Sequence, residues 1–535
     1  IINSTLHYCA TMTEVVSTVA HLPAVYQSLL MQLEPLVQLP LDQLNLLFVL
    51  IVQAIAGSVY RRIQSTVIRQ TFGMLLGFLL LYAMYGIESF YLLSFILAMY
   101  PITLLKSPRI SFWLGMTVLF LSFLYMAVFH YLSWRLDATT SLMGMVVRLH
   151  TLSWDLADYD KIRKRENLGN FPRFVAFRQD HACDVKRLSF FVYMSYMLFF
   201  VHVLMGSNLS INEYLQISDR TIYAKAGWKD KQNDPKPSVL QVVNAALAVL
   251  ATAGVYLLGK IYFSLHFLMT PEFQQQYPFW KQFLLVPLCS FLTKFKYHFG
   301  WKMLDLALIT SGAGFSGVEY ASDGKTVVRT KWERANNIWS LKTAFPQYTG
   351  HVVRYWNMTV NDWLTFYVFY RIDNVPKFLV KLQGDKGAKV ILTRMASALY
   401  HGVYPSYYAF FTLSAIMTNA LDTLRLILPT FEDEVEYKKQ SAYAPKSVLL
   451  FVFWVLMVVI PIDSMGILFM ELDILKVIRL FKAVYWFPIW IMVIDLVLGA
   501  VLKTTIGIKR IEKEKRAKAK AARQKTADSS NKKEK

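Results

Sequence analysis

The chain has 535 residues, of which 55% are hydrophobic, 15% aromatic and 17% charged, and its formal net charge is +21. Soluble domains usually carry about a quarter charged residues, so the composition excludes an ordinary soluble domain and indicates a membrane protein. Cys9, Cys183 and Cys289 are the only cysteines and form no Cys-x-x-Cys pair. A disulfide framework or a zinc site is therefore not expected, and we predict no bound metal.

Apolar segments long enough to cross a bilayer, which takes about 20 helical residues, recur along the chain. Eight segments predict spanning helices: 44–60, 71–86, 90–105, 112–134, 189–205, 239–258, 448–470 and 483–502. Four are short or carry charge and suit tilted or re-entrant helices: 284–292, 303–315, 363–370 and 393–417. The sequence predicts an all-α multi-pass membrane protein with about 9–11 spanning or re-entrant helices.

Polar connectors lie between these segments, at 155–187, 210–238, 317–356 and 430–446. The basic connectors "DYDKIRKREN" and "SDGKTVVRTKWER" do not read as folded soluble domains. No internal repeat is evident, which disfavours a transporter built from repeated halves. We predict three parts: an N-terminal interfacial segment (1–40), a transmembrane domain (41–502) and a basic tail (503–535).

The tail holds 13 Lys/Arg against 4 Asp/Glu, a net charge of +9. Directly after a spanning helix, such an excess favours a cytosolic position by the positive-inside rule, and we assign it no nucleic-acid role. The last residues, "KKEK", resemble the dilysine retrieval signal of endoplasmic reticulum membrane proteins. The sequence therefore predicts a multi-pass protein of the endoplasmic reticulum membrane with its C-terminus in the cytosol.

The segment "SALYHGVYPSYY", residues 397–408, places a titratable ring and a proline within apolar sequence. The Pro405 ring collides with the carbonyl of His401 four residues back, so we expect a kinked helix there. Titratable residues at membrane depth are rare and tend to be functional. Asp463 and Asp495 also qualify, but each is expected to pair helices or to bend one rather than to act as a catalytic acid.

A second segment, "RYWNMTVNDWLTFYVFY" at 354–370, has two tryptophans flanking an asparagine pair. This pattern is typical of a segment that enters the membrane at headgroup level. Upstream, "HTLSWD" at 150–155 has the His-x4-Asp spacing of the soluble-type glycerolipid acyltransferases. Such short matches are common by chance, and the companion Gly-rich acidic motif is not found downstream, so His150 is expected to be a decoy.

Together, the segments at 354–370 and 397–408 resemble the two signatures of the membrane-bound O-acyltransferase (MBOAT) family, closest to its lysophospholipid acyltransferases. Those pair a WN-M-x-x-x-x-WL segment with a later S-A-x-W-H-G-x-x-P-G-Y-Y segment. Tyr400 stands here where tryptophan is usual and Ser406 where glycine is usual, which bears on substrate preference rather than on activity. "GFSG" at 314–317 and "NNIW" at 336–339 also resemble the family's approach to the first signature.

The resemblance implies an MBOAT-like bundle around an intramembrane reaction chamber. It implies transfer of an acyl chain from acyl-CoA, a co-substrate, to the free hydroxyl of a lysophospholipid, without a bound cofactor. A thioester needs no protein nucleophile, but the acceptor hydroxyl needs a base and the oxyanion needs a donor. His401, whose ordinary pKa is about 6.5, suits the first role. Asn357 suits carbonyl polarisation or the orientation of His401, and the family uses these two positions as its catalytic pair.

Further residues of the two motifs are predicted to contact substrate: Trp356, Ser397, Gly402 and Tyr408. Ser397 lies one helical turn before His401, Gly402 allows close approach, and Pro405 is expected to bend the helix beneath the histidine. Basic residues near the motifs are candidate neighbours of the coenzyme A phosphates: Arg354, Lys377 and Lys381. The expected partners are acyl-CoA, a lysophospholipid and the lipid bilayer.

Alternative functions remain open. Sterol- and diacylglycerol-type members of the family usually show an aromatic-rich Phe-Tyr-x-Asp-Trp-Trp-Asn version of the first motif, which Arg354-Tyr355-Trp356-Asn357 replaces here. Another branch acylates proteins. A proton-coupled transporter that uses His401 as a relay belongs to a different class, and it would show substrate flux without release of coenzyme A.

Overall fold

The computed structural model describes residues 19–505 apart from 38, 133–135, 170, 205–207, 347, 426–427, 431–434 and 436–440. Its regular structure is almost entirely helical, as predicted. Residues 1–18 of the predicted interfacial segment and residues 506–535 of the predicted tail lie outside the described residues. The three predicted parts of the chain therefore stay predictions.

The helices of the first half precede a small hairpin. They are α1 (Ala24–Val37), α2 (Leu41–Arg62), α3 (Thr66–Tyr85), α4 (Glu88–Leu104), α5 (Pro108–Phe129), α6 (Thr139–Arg163), α7 (Pro172–His181), α8 (Phe190–Met197), α9 (Ile211–Ser218), α10 (Thr221–Lys225), α11 (Val239–Tyr262), α12 (Leu265–Leu268), α13 (Pro271–Gln276), α14 (Phe279–Thr293) and α15 (Phe295–Ser311), with a 3-10 turn at Val185–Arg187.

The second half begins with strands β1 (Gly317–Tyr320) and β2 (Val327–Lys331). The helices that follow are α16 (Ser340–Ala344), α17 (Thr349–Tyr355), α18 (Met358–Trp363), α19 (Lys377–His401), α20 (Pro405–Arg425), α21 (Pro445–Met470), α22 (Ile474–Ala483) and α23 (Phe487–Thr505). A π turn at Leu364–Val368 and a 3-10 turn at Phe369–Arg371 extend α18.

Five of the described helical segments are long and apolar enough to cross a membrane: α2, α3, α5, α11 continued through α12, and α21. A sixth span results if α22 and α23, which bend by 78° at their junction, count as one. Their lipid-facing surfaces are apolar: Trp113 of α5 is 63% exposed and Leu250 of α11 is 65% exposed. The prediction of a helical multi-pass membrane protein is confirmed.

The predicted span at 189–205 is wrong over its described residues. Helix α8 ends at Met197, and the chain continues in buried turns to residue 204. Backbone that leaves a helix inside a membrane protein needs internal partners. Nε2 of Gln53 donates to the carbonyls of Phe200 and Val201 at 2.6 and 2.9 Å, and Nη1 of Arg148 donates to that of His202 at 2.9 Å. Apolar composition alone could not distinguish this buried coil from a span.

Helix α6 was not predicted: it carries several charged and polar side chains, and only its residues 155–163 were assigned to an element, the polar connector 155–187. Several of those side chains are buried: Arg148, His150, Asp155 and Asp158 are each 5% exposed or less. Burial of charge requires pairing or hydrogen bonding, and α6 obtains both from α7 and from the segment after α18. The polar residues of α6 therefore bind neighbouring segments together inside the protein.

The strands β1 and β2 pair antiparallel, with Gly317 opposite Lys331, and form a small hairpin in an otherwise helical structure. They occupy the start of the predicted connector 317–356. Arg334, just after β2, donates from its backbone N–H to the carbonyl of Gly314 at 3.0 Å and pairs with Glu213 at 3.3 Å. The hairpin thus anchors the loop that leads toward Asn337.

Candidate active site

A cavity of about 230 Å³ lies between α15, the segment α16–α18, and helices α19, α20 and α21. Four of the six predicted site residues line it: Trp356, Asn357, Ser397 and His401. The two family-like motifs, far apart in sequence, therefore meet at one cavity. Gly402 and Tyr408 are not among the residues that line it.

His401 is the last residue of α19 and presents its ring to the cavity among aromatic side chains. The ring stacks on Phe411, with 5.4 Å between centroids, and meets Phe469 edge-on at 5.0 Å. Ser397, one turn earlier, lines the same wall. Among the described residues none forms a hydrogen bond with the His401 ring, so its lone pair is available to a molecule in the cavity.

The kinked helix predicted around Pro405 is wrong. Helix α19 ends at His401, and Gly402 follows with φ 126° and ψ −162°, backbone angles that only glycine adopts readily. Pro405 then occupies the first position of α20, where the missing N–H of proline costs nothing. A Cβ at Gly402 would lie 3.4 Å from the ring of Phe123. Gly402 therefore serves the chain reversal, and its predicted contact with substrate stays a prediction.

Asn357 is held in an unusual conformation at the start of α18, with φ 45° and ψ 56°. Its Oδ1 accepts a hydrogen bond from Nδ2 of Asn337 at 3.2 Å. Asn337 is fully buried, and its own Oδ1 accepts from the backbone N–H and the hydroxyl of Thr359 at 3.0 and 2.8 Å. Because the carbonyl of the Asn357 amide is occupied, its NH₂ group is the part left to donate into the cavity.

Asn337 is the site residue that sequence reasoning missed. It lies within "NNIW", which was associated with the first motif without a role for any residue. Its backbone N–H donates to Oδ1 of Asp305 at 3.3 Å, and Lys302 binds Asp305 at 2.7 Å. Asn337 thereby connects α15 to Asn357. No hydrogen bond joins Asn357 to His401 within the described part of the chain.

Trp356 forms an aromatic wall of the cavity with residues of α15. Its ring meets Trp301 edge-on at 5.0 Å and His298 at 5.5 Å. Aromatic pairs in these orientations add to the stability that burial provides. Trp356 thus packs the floor beside Asn357, in keeping with its predicted place at the site.

The three residues predicted near the coenzyme A phosphates are separate from the cations of the cavity lining, and their predicted role stays a prediction. Arg354, Lys377 and Lys381 are exposed and do not line the cavity. Lys294 and Arg394 do line it. Lys294 is buried in an ion pair with Asp463 of α21, its Nζ lying 2.9 and 3.0 Å from the two carboxylate oxygens. Asp463 therefore joins helices, as predicted.

Asp495 lies in α23, fully buried and away from the cavity lining. Among the described residues, neither of its carboxylate oxygens has a hydrogen-bond partner. Its predicted role in pairing or bending helices stays a prediction.

His150 lies outside the cavity lining, packed between two tryptophans. The indole nitrogens of Trp154 and Trp363 lie 2.9 and 3.0 Å from its Nε2 and Nδ1. Asp155 does not face it, because its Oδ1 accepts from the hydroxyl of Tyr367 at 2.7 Å. The His-x4-Asp pair is therefore not assembled as an acid–base site.

Comparisons with known proteins point to one family. The model of the membrane-bound O-acyltransferase family matches residues 123–461. Lysophospholipid acyltransferase 2 of Arabidopsis thaliana is 27% identical over 386 residues, 70% of this chain and 75% of that protein. Membrane-bound glycerophospholipid O-acyltransferase 1 of Mus musculus is 28% identical over 421 residues, 74% and 78% of the two chains. Lysophospholipid acyltransferase of Schizosaccharomyces pombe is 25% identical over 401 residues, 73% and 74%. With more than half of its length matched by the family model and both motif segments at one cavity, the chain belongs to the membrane-bound O-acyltransferase family.

Proposed function

We propose that this protein transfers an acyl chain from acyl-CoA to the free hydroxyl of a lysophospholipid. The observation that carries the proposal is that Asn357 and His401 line one cavity with complementary free groups, an amide donor and an imidazole lone pair. The names of the relatives support a lysophospholipid acceptor. Acyl-CoA is a suitable acyl donor, because coenzyme A leaves as a thiolate and no protein nucleophile is needed.

In the proposed reaction, His401 accepts the proton of the acceptor hydroxyl while that oxygen attacks the thioester carbonyl. The resulting oxyanion accepts a hydrogen bond from the NH₂ group of Asn357. The C–S bond then breaks, a new ester remains on the lipid, and the coenzyme A thiolate takes the proton from His401. No net proton is consumed, and both residues return to their starting state.

The walls beside the two residues are largely apolar, which favours an acyl chain. Phe410, Phe411 and Phe469 lie beside His401, and Leu364 and Val360 lie on the side of Asn357. A low-dielectric wall strengthens the hydrogen bond to the oxyanion.

The test is an acceptor panel. Membranes that contain the full chain receive one acyl-CoA and lysophospholipids of several headgroups, with diacylglycerol, a sterol and a peptide as alternative acceptors. Coenzyme A release and the mass of each product are measured. A diacyl phospholipid formed only when the chain is present supports the proposal. Esterification of a sterol, diacylglycerol or peptide alone, or substrate flux without coenzyme A release, would contradict it.

We also propose that the protein resides in the endoplasmic reticulum membrane with its basic tail in the cytosol. The charge excess after α23 supports this orientation. The phosphates and adenosine of coenzyme A cannot cross hydrocarbon unaided, so the co-substrate would reach the cavity from the cytosolic side.

A further inference from the structure

Arg394 is a cation in the cavity wall that the proposed chemistry does not use. It lies on α19 with Ser397 and His401, at positions i, i+3 and i+7, a spacing that puts all three side chains on one face of a helix. All three line the cavity. Seven residues of helix separate Arg394 from His401 by about 10 Å along the axis. The helix that carries the proposed base thus also carries a positive charge at a defined distance from it.

Two other cations inside the protein are held by anions, and the buried Arg148 donates to a backbone carbonyl. Lys294, in the same cavity, binds Asp463, and Arg371 binds Asp158 at 2.8 Å. Arg394 differs, because no described residue forms an ion pair, a hydrogen bond or a ring contact with its guanidinium. Arg394 is partly exposed, so a ligand can reach its guanidinium, and a charge-assisted hydrogen bond to an anion is stronger than one to a neutral group. The position of Arg394 inside the cavity therefore suits an anion that arrives with the substrate.

We propose that Arg394 binds the phosphate group of the acceptor lysophospholipid; this inference rests on the proposed function. The planar guanidinium fork matches phosphate oxygens in a bidentate geometry. In a lysophospholipid the free hydroxyl and the phosphate are attached to the same glycerol unit. A glycerol unit with its hydroxyl at His401 therefore has its phosphate within reach of a long side chain two helical turns away.

The second source of phosphate is coenzyme A itself. Its phosphates are separated from the thioester by the whole pantetheine arm, so a thioester at His401 places them well beyond Arg394. Because Arg394 lies near the reacting atoms, the phosphate that it binds is expected to be that of the acceptor lipid. The two sources predict different kinetics, because loss of the contact raises the KM of only the substrate that carries the phosphate.

The test uses the purified full chain in mixed micelles, with Arg394→Gln and Arg394→Lys. Lys389→Gln is the matched control: Lys389 lies on α19 outside the cavity, 4.0 Å from Asp385. For Arg394→Gln we expect the KM for the lysophospholipid to rise by about tenfold or more, as for a lost charged hydrogen bond, with the KM for acyl-CoA unchanged. The KM of Arg394→Lys for the lysophospholipid should lie between those of the wild type and Arg394→Gln, because lysine keeps the charge but lacks the planar guanidinium.

A rise in the KM for acyl-CoA alone would assign Arg394 to coenzyme A and overturn the proposal, as would unchanged constants in Arg394→Gln. If Arg394→Gln does not fold, Arg394→Lys decides by the same two KM values. If the wild-type chain acylates no lysophospholipid, the proposed function has failed. If the wild type is active and both variants match it, only the assignment of Arg394 has failed.

Discussion

The indole Nε1 of Trp363 lies 3.0 Å from Nδ1 of His150, although 213 positions separate the two residues. Trp363 ends α18, which begins next to Asn357, and its ring packs against Tyr400 at 5.5 Å. Tyr400 immediately precedes His401. This contact therefore packs α6 against the segments that carry both motifs, and it gives His150 a structural role.

Two further contacts continue the same interface. The hydroxyl of Tyr367 donates to Asp155, and Arg371 binds Asp158. Steps of four residues overshoot the 3.6 residues of an α-turn, so side chains at 363, 367 and 371 would drift around a regular helix. The wider π turn at Leu364–Val368 offsets that drift, and the three side chains meet one face of α6.

The first prediction concerns His401. His401→Ala is expected to abolish acyl transfer, because no described neighbour offers a second base, and to leave expression and membrane insertion intact. Turnover is measured at matched protein level, beside His266→Ala, which removes an exposed histidine outside the cavity. Retention of more than about a tenth of the wild-type turnover would exclude His401 as the base, since a positioned base is worth roughly a hundredfold or more.

The second prediction concerns Asn357. Asn357→Ala should lower kcat by roughly 10²-fold if its NH₂ group stabilises the oxyanion. Asn233→Ala, in an exposed loop, is the matched control. Adding Asn337→Ala to Asn357→Ala should lower kcat little further, because Asn337 acts through Asn357. The effects of two independent residues on the free energy of activation would instead add. An Asn357 with a purely structural role would show lost protein with normal turnover in the fraction that folds.

The third prediction concerns His150. His150→Ala should lower the melting temperature in detergent, because it removes the ring that contacts the indole nitrogens of Trp154 and Trp363. The cost of leaving buried polar groups unpaired is about 1–3 kcal/mol. Turnover per folded molecule should stay close to that of the wild type. A stable His150→Ala variant without activity would reverse this reading and restore the His-x4-Asp pair as a candidate site.

The fourth prediction compares two aspartates of α6. Asp158 binds both Arg178 and Arg371, and all three side chains are buried, so Asp158→Asn leaves two buried cations without their anion, a change that costs about 3–5 kcal/mol. Asp160 binds Lys106 at 2.8 Å but is 32% exposed, and exposed pairs contribute about 0–1 kcal/mol. Thermal melting of both variants should separate them clearly. Equal melting temperatures would contradict the role assigned to α6.

The fifth prediction concerns orientation. In sealed microsomes, added protease should remove an epitope tag from the C-terminus, and intact vesicles should use added acyl-CoA without detergent. Both follow from a basic, cytosolic tail. A tag that survives until the vesicles are opened would invert the proposed topology and would remove the dilysine interpretation with it.

The sequence was most informative where residue types are chemically scarce. A histidine in apolar sequence drew attention to His401, the resemblance to the family's two signatures added Asn357, and the structure brings both to one cavity. The role of Asn337 was not predicted, because it depends on a contact with Asn357, which lies 20 positions away. Arg394 escaped because one arginine in a helix resembles any surface arginine until its neighbours are known.

Composition failed where tertiary contacts override it. Helix α6 looks polar in sequence because it carries charged side chains. It is buried in the structure because distant residues such as Tyr367 and Arg371 bind those side chains. The turns after Met197 read as a span because Gln53 and Arg148, which satisfy their backbone carbonyls, lie far away in sequence. The break before Pro405 was read as a kink, since a proline within a helix and a proline that begins one look alike until Gly402 shows its positive φ.

The end of α19 at His401 has an electrostatic consequence for the proposed reaction. The last carbonyl groups of a helix carry a partial negative charge, and that charge stabilises a cation within the final turn. If His401 takes the proton of the acceptor hydroxyl, the imidazolium forms at this carbonyl end, while the oxyanion forms toward Asn357. The imidazolium then lies beside the dipoles of the helix carbonyls, and the oxyanion lies beside the amide dipole of Asn357. This holds although no described ionised side chain touches His401.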